Sequence, residues 1–291
     1  MRAAGRRSPD HLGAVVALST ARRPRLRYDV RPTQLDASLV TTFVQLHADA
    51  ATAAFLDREL AQRHGRWRWA AHRALLGVLP DFDVNGLLGT YPLHLLSAAQ
   101  WEQLLGPSRR GRLLDVGAGA GDVTKALAAR FDDVTAVETS KPMVRRLRAA
   151  GLHAEHLDLT VEPAPAPPYD AVALLNVLDR CARPRTLLGN IHRALQPNGL
   201  LVVSVPLPYR PLHYRRGRVL DPDEPLPLGD EGWERQAAQL VDDVLVPEGF
   251  EVTAWTRAPY LSGGDRHEPC YVLDACVLAC RAGEFSDPSR R

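Results

Sequence analysis

The sequence predicts an α/β fold: an open, mostly parallel sheet covered by helices on both faces and entered through an N-terminal helical extension. Three observations predict it. A glycine-rich turn, Gly117-Ala-Gly-Ala-Gly121, separates a strand-like run from a helix-like one. A second apolar run, Val134-Thr-Ala-Val-Glu138, ends in a carboxylate about twenty residues further on. Strand and helix patterns then alternate as far as Val205, as in a parallel sheet buried on both sides.

The chain has 291 residues, 45% of them hydrophobic, which is enough to bury a full core. A net charge of +2 provides no overall basic field for nucleic acid, although lysine occurs only at Lys125 and Lys141 and arginine is abundant. The four cysteines, Cys181, Cys270, Cys276 and Cys280, form no Cys-x-x-Cys pair and read as reduced thiols of an intracellular compartment. No apolar run reaches the roughly eighteen residues a membrane-spanning helix needs.

In chain order, residues 1–29 carry seven arginines against two acids and read as a basic disordered arm or a targeting peptide. A helical extension over 30–106 follows. Leu39, Phe43, Leu46, Phe55, Leu56, Leu60, Trp67, Ala71, Leu75 and Leu79 recur at helical spacing within it, Pro80 stops the last helix, and Trp67 and Trp69 read as packing anchors. Asp81 to Gly89 is expected to be a loop, because Asp, Asn and Gly cluster where periodicity vanishes. Ser97 and Gln100 form a capping box for a helix over Ala98 to Leu105.

The sheet domain, 107–282, begins with the strand Arg112 to Val116. A helix over Asp122 to Arg130, the strand Val134 to Glu138, a helix over Lys141 to Ala150 capped by Ser140, and strands His153 to Leu157 and Ala171 to Leu175 come next. Pro163 to Pro168 is a stiff crossing between those last two strands. A helix over Pro184 to Leu195, a turn at Pro197-Asn-Gly199 and the strand Leu200 to Val205 complete the alternation. Pro206 to about Asp230, with Arg210, Arg215, Arg216 and Arg218, reads as a long ordered loop of the kind that covers a site. A helix from Trp233 to about Leu245 and strands Phe250 to Thr256 and Tyr271 to Ala279, joined by Arg257 to Asp265, end the domain. Residues 283–291 form a polar tail.

The glycine turn lets backbone approach a small molecule closely, with Gly117 and Gly119 leaving room for it. The dinucleotide pattern fails, since the third glycine falls one place early at Gly121 and Asp122 stands where that pattern needs glycine. The turn instead resembles motif I of Rossmann-like S-adenosylmethionine methyltransferases, in which Asp115 sits near the methionine part of the cofactor. Glu138 is placed to accept hydrogen bonds from two ribose hydroxyls. A plainer reading makes Asp115 a helix cap and Glu138 a solvated strand end. His153 and His156, three apart on a strand, face opposite sides with no third ligand near, which argues against a metal centre.

Asn176, Asp179 and Arg180 follow the fourth strand, the neighbour of the first across the point where strand order reverses, and so belong at the reactive end of the cofactor. An ion pair of Asp179 with Arg180, or a helix cap at Asp179, is the plainer alternative.

Four motifs carry a closer resemblance: Asn85-Gly-Leu-Leu-Gly89, Leu113-Leu-Asp-Val-Gly-Ala-Gly119, Asn176-Val-Leu-Asp-Arg-Cys181, and Pro259-Tyr-Leu261 followed by Tyr271-Val-Leu-Asp-Ala275. Together they resemble the DREV family, the methyltransferase-like protein nine group, from about residue 30 to 282. The resemblance implies a class I S-adenosylmethionine-dependent methyltransferase fold. It also implies methyl transfer to the pros nitrogen of histidine in His-x-His segments of substrate proteins, with the endoplasmic reticulum or the mitochondrion as compartment; apart from it, an intracellular or cytoplasmic monomer is expected. By it Glu138 holds the ribose, Asn176 and Tyr260 line the cofactor and substrate pocket, Asp179 faces the target imidazole, and Arg180 and Tyr271 join the substrate side. Ala120 departs from the acid usual between the second and third glycines, and Cys270 and Ala275 depart from the Tyr and Asp of family members. Two rival readings are methylation of a small molecule or an arginine, and a non-catalytic cofactor-binding scaffold.

Overall fold

A computed structural model describes residues 16–17, 24–62, 74–75, 81–211, 213–215, 218–265 and 268–283. Strands are numbered along the chain: β1 Val16–Ala17, β2 Leu93–His94, β3 Arg110–Val116, β4 Phe131–Glu138, β5 His153–His156, β6 Tyr169–Leu175, β7 Leu195–Pro206, β8 His213–Arg215, β9 Arg218–Leu220, β10 Phe250–Gly263 and β11 Cys270–Ala282. The main sheet runs β2-β10-β11-β7-β6-β3-β4-β5, and β1 pairs with β11. Five strands, from β7 to β5, are parallel, while β11, β10 and β2 are antiparallel additions at one edge.

Alternation within the strands sorts the core onto two faces. Leu114, Val116, Val172, Leu174, Leu201 and Val203 pack with Leu187, Leu188 and Ile191 of the helix Pro184–Ala194 on one side. Leu113, Ala171, Ala173 and Val202 pack with Trp101, Leu104 and Leu127 on the other. Each aliphatic side chain so buried contributes on the order of 2 kcal/mol of transfer free energy. The central strands therefore read as continuous apolar runs, and their carboxyl ends lie where a ligand meets the sheet.

Helix starts follow local chemistry. Ser97 and Gln100 form the expected reciprocal capping box for the helix Ala98–Leu105, and Ser140 caps Lys141–Ala149. Asp81–Leu88 is a helix, not the expected loop. Tertiary docking overrides its weak propensity: a Cβ on Gly86 would lie 3.0 Å from Pro142 Cβ, and the Arg146 guanidinium donates to the carbonyls of Gly86 and Leu87.

The extension over 30–106 holds a 3-10 turn at Pro32–Gln34, helices Ala37–Thr42 and Ala50–Ala61, and also β2, which pairs with β10, so it is not all helical. Trp67, Trp69, Ala71, Leu79 and Pro80 lie outside the described residues, as do most of the basic arm and all but the first residue of the polar tail. β7 starts at Leu195, so the expected Pro-Asn-Gly turn becomes a bulge in which three extra residues fall between the pairs Tyr169–Leu195 and Ala171–Leu200. The Trp233 helix passes at Leu240 into a π-helical turn ending at Leu245. Within 206–230 the structure adds the short hairpin β8–β9.

The largest departure concerns the terminal hairpin. Arg257 to Gly263, expected as a connection, continues β10, and β11 runs from Cys270 to Ala282. Pro259 is tolerated because β2 pairs only with Leu261 and Ser262, leaving Pro259 at an edge. Pro206, the last residue of β7, pairs with Ala275, which pairs with Ala258. Residues 259–263 and 270–274 thus project beyond the parallel strands, by roughly 17 Å at the rise of an antiparallel strand.

Candidate active site

The cradle is built where β3 ends. Gly117, Gly119 and Gly121 all take positive φ, of 69°, 57° and 82°. A Cβ on Gly119 would meet no atom within 4 Å, so the space above it is open for a ligand. Gly117 has a second reason to be glycine, because its Cβ would come within 2.6 Å of Val177 Cγ2 on the neighbouring turn. Glu138, one residue beyond the pair Val116–Val137, directs its carboxylate back over the turn. It accepts from Gly119 N at 3.0 Å through Oε2, and from Ser140 N at 3.0 Å and Thr139 Oγ1 at 3.2 Å through Oε1.

Asp115 lies beneath this turn and is buried. Burial pushes its carboxyl up to about 7, with the nearby Glu138 charge adding to the rise and the Thr124 hydroxyl opposing it. It is a core carboxyl, not a helix cap.

The turn after β6 supplies the second half. Asn176 is held in a left-handed conformation, φ +56°, its N–H donating to Ser204 O at 2.9 Å and its Oδ1 accepting from Ser204 Oγ at 2.9 Å. The buried Asp179 accepts from Arg180 Nε at 2.9 Å through Oδ2, while Oδ1 is buried without a hydrogen-bond partner among the described residues. Burial raises the Asp179 carboxyl, and the Arg180 guanidinium opposes the rise. The expected ion pair is therefore present, yet it satisfies only one oxygen.

Tyr260 and Tyr271 stand on the projecting hairpin. Tyr260 is half-buried near the Asn176 side chain and the Asp179–Arg180 pair, and burial raises its phenol. Tyr271 donates its hydroxyl to Asp265 Oδ2 at 3.0 Å, near the hairpin tip. Asp115, Gly117, Gly119, Glu138, Asn176, Asp179, Arg180 and Tyr260 thus lie at or beyond the carboxyl ends of the parallel strands, whereas Tyr271 is engaged with Asp265. Ser204, which sequence reasoning missed, is buried and is the one polar residue in Leu200-Leu-Val-Val-Ser-Val205. That lone hydroxyl in an apolar strand was the available signal.

A family model described as DREV methyltransferase matches residues 28–281. The chain belongs to the DREV methyltransferase family. This DREV chain is also similar to ubiquinone biosynthesis O-methyltransferases. That of Xylella fastidiosa (strain 9a5c) is 28% identical over 123 residues, 39% of this chain and 50% of the relative. That of Alkalilimnicola ehrlichii is 31% identical over 123 residues, with the same coverage. The chain spans about half the length of the curated relatives it matches. Among solved structures, a putative methyltransferase from Bacillus halodurans C-125 aligns with a TM-score of 0.46 at 13% identity, over 64% of this chain and 99% of that one. A DhpI–SAH complex aligns with a TM-score of 0.44 at 19% identity, over 75% and 93%.

The cofactor of this DREV chain is S-adenosylmethionine, and the residues fit it: an open space over Gly119, a turn without side chains, and a carboxylate at the end of the adjacent strand.

Proposed function

We propose that this chain is a protein-histidine methyltransferase acting on the pros nitrogen of histidine in His-x-His segments. The observation that carries the reading is the divided state of Asp179: one oxygen tied to Arg180, the other buried and without a hydrogen-bond partner among the described residues, in a turn that Tyr260 approaches. Leaving a buried acceptor unsatisfied costs about 1–3 kcal/mol, so a ligand donor there regains what folding gives up. The tele N–H of an imidazole is such a donor.

Bound S-adenosylmethionine supplies an electrophilic methyl group. Gly117 and Gly119 would admit it to the turn, and Glu138 would hold its ribose. Asp179, accepting the tele proton, would fix the tautomer in which the pros nitrogen carries a free lone pair. As the N–C bond forms and the sulfonium C–S bond breaks, its electron pair staying on sulfur, the ring would become cationic; the Asp179 carboxylate would stabilise that charge and then take up the tele proton. Asn176 and Tyr260 bound the pocket and hold the ring in line, an effect of proximity and orientation. The projecting hairpin offers a wall along which an extended peptide could lie.

The relatives named for ubiquinone biosynthesis match about half of their own length, and a small-molecule acceptor is the reading they favour. One experiment separates the two. The full chain is incubated with methyl-labelled cofactor and either His-x-His peptides or a catechol, and products are resolved by mass spectrometry with both ring isomers as standards. Label in pros-methylhistidine supports the proposal. Label on the tele nitrogen, on arginine or on an oxygen sinks it.

A further inference from the structure

The segment between β7 and the Trp233 helix is pinned at both ends. Leu207 and Leu226 are buried in the core, Tyr209 N donates to Gln236 Oε1 at 2.7 Å, and Gln236 Nε2 donates to Gly229 O at 2.5 Å. Gln236 is itself buried on the helix Trp233–Gln239, so one amide side chain fastens the start and the finish of the segment. Between these anchors the segment touches the Asp179 turn twice. On one side of Asp179, the Tyr209 hydroxyl donates to Leu178 O at 3.3 Å. On the other, Glu224 N donates to Ala182 O at 3.2 Å, and the Glu224 carboxylate accepts from Thr186 N at 2.9 Å and Thr186 Oγ1 at 2.5 Å.

The second contact answers a local deficit. The helix Pro184–Ala194 begins at Arg183, which makes no side-chain cap, and Pro184 has no N–H to offer. Glu224, thirty-eight positions away from Thr186, supplies the missing acceptor at the end of the helix dipole that favours negative charge. The turn from Leu178 to Ala182 is therefore held from outside itself, at one residue before and three residues after Asp179.

We propose that Glu224 and Tyr209 are positioning residues for Asp179: by fastening Leu178 and the Ala182–Thr186 stretch to the pinned segment, they set where the unpartnered Asp179 oxygen points. The proposal rests on the role given to Asp179 above. Neither residue touches the reacting atoms. Their effect is geometric, and in such sites a displacement of about 1 Å costs on the order of 100-fold in rate.

The test uses the full chain, methyl-labelled S-adenosylmethionine and a His-x-His peptide, each variant assayed at a temperature where its unfolding curve shows it fully folded. Asp179→Asn comes first; if it turns over like the parent, the role of Asp179 itself is wrong and the positioning proposal falls with it. If Asp179→Asn is disabled, Glu224→Ala and Tyr209→Phe are expected to lower kcat by about 10-fold or more while peptide KM and cofactor Kd stay within about twofold. Glu224→Gln, which keeps an acceptor for Thr186, is expected to recover most of the loss. Parent-like kcat in Glu224→Ala and Tyr209→Phe overturns the proposal, and so does a kcat loss accompanied by an equal loss of cofactor affinity, which marks general loosening. Should Glu224→Ala fail to fold, Tyr209→Phe carries the comparison, since it removes a single polar atom, and parent-like kcat in it overturns the proposal.

Discussion

Glu138 ends β4 and Asp179 lies in the turn after β6, the two strands that flank β3. They are supported in opposite ways. Glu138 is half-buried and accepts from Gly119 N, Ser140 N and Thr139 Oγ1, so both its oxygens are engaged by the chain. Asp179 is buried, with a partner at Oδ2 and, among the described residues, none at Oδ1. A carboxylate whose bonds come mainly from its own backbone is a fixed part of a cradle. One left half-satisfied in a low-dielectric turn stores an unmet demand for a donor, and that demand is greatest for a donor that becomes charged.

Exchanging the two for alanine separates binding from chemistry. Asp179→Ala is expected to lower methyl transfer by about 100- to 1,000-fold, the scale of losing one preorganised electrostatic partner, with cofactor affinity held within about twofold. Labelled transfer to peptide and calorimetric titration of the cofactor check it; unchanged turnover removes Asp179 from the mechanism. Glu138→Ala is expected to do the reverse, weakening the cofactor by about 10- to 100-fold through lost charge-assisted hydrogen bonds. Its kcat at saturating cofactor should change little. If Glu138→Ala binds the cofactor as tightly as the parent, the ribose is held elsewhere.

A third carboxyl, Asp115, sharpens the comparison because it is buried beneath the glycine turn, where the Thr124 hydroxyl offsets part of the cost of burial. Its folded value of about 7 lies above the unfolded 3.8, so the protonated form is the one folding favours. The contribution is full below about pH 4 and is lost as pH rises through about 7. Asp115→Asn should therefore match the parent near pH 4 and exceed it above pH 7, by about 1–3 kcal/mol in denaturant unfolding. A stability gap that stays constant across this window contradicts the buried, protonated carboxyl.

How much of this was legible depended on whether the signal was local. The capping box Ser97–Gln100, the glycine turn and the acid at Glu138 are each written within a few residues, and the structure has the helix, turn and strand end they predict. The helix Asp81–Leu88 was not legible, since its stability comes from Pro142, Met143 and Arg146 some sixty residues away. The projecting hairpin was hidden for a similar reason: Pro259 and Gly263 look like turn residues until pairing with β11 and the sparse contact with β2 make them strand. Among the site residues, Asn176 and Asp179 could be named from their position after a strand. The unpartnered Oδ1 and the outside support of Glu224 depend on distances that no spacing rule encodes.

The smallest effect tests whether the Asp179 side of the site is rigid as well as hungry for a donor. Ser204 Oγ donates to Asn176 Oδ1 from within β7, and Ser204 O accepts the Asn176 N–H, so strand and turn are joined twice. Ser204→Ala removes only the side-chain bond and is expected to cost about 1 kcal/mol of stability. The left-handed backbone at Asn176, φ +56°, is kept by the remaining bond and by asparagine's tolerance of that region. Because Tyr260 lies close to the Asn176 side chain, freeing that amide should loosen the pocket wall and raise peptide KM a few-fold, while leaving cofactor Kd unchanged. Thermal unfolding and peptide titration read the two effects separately. A cofactor affinity that falls along with peptide affinity would mean that the two halves are not independent, and the contrast between Glu138 and Asp179 would have to be redrawn as one continuous network.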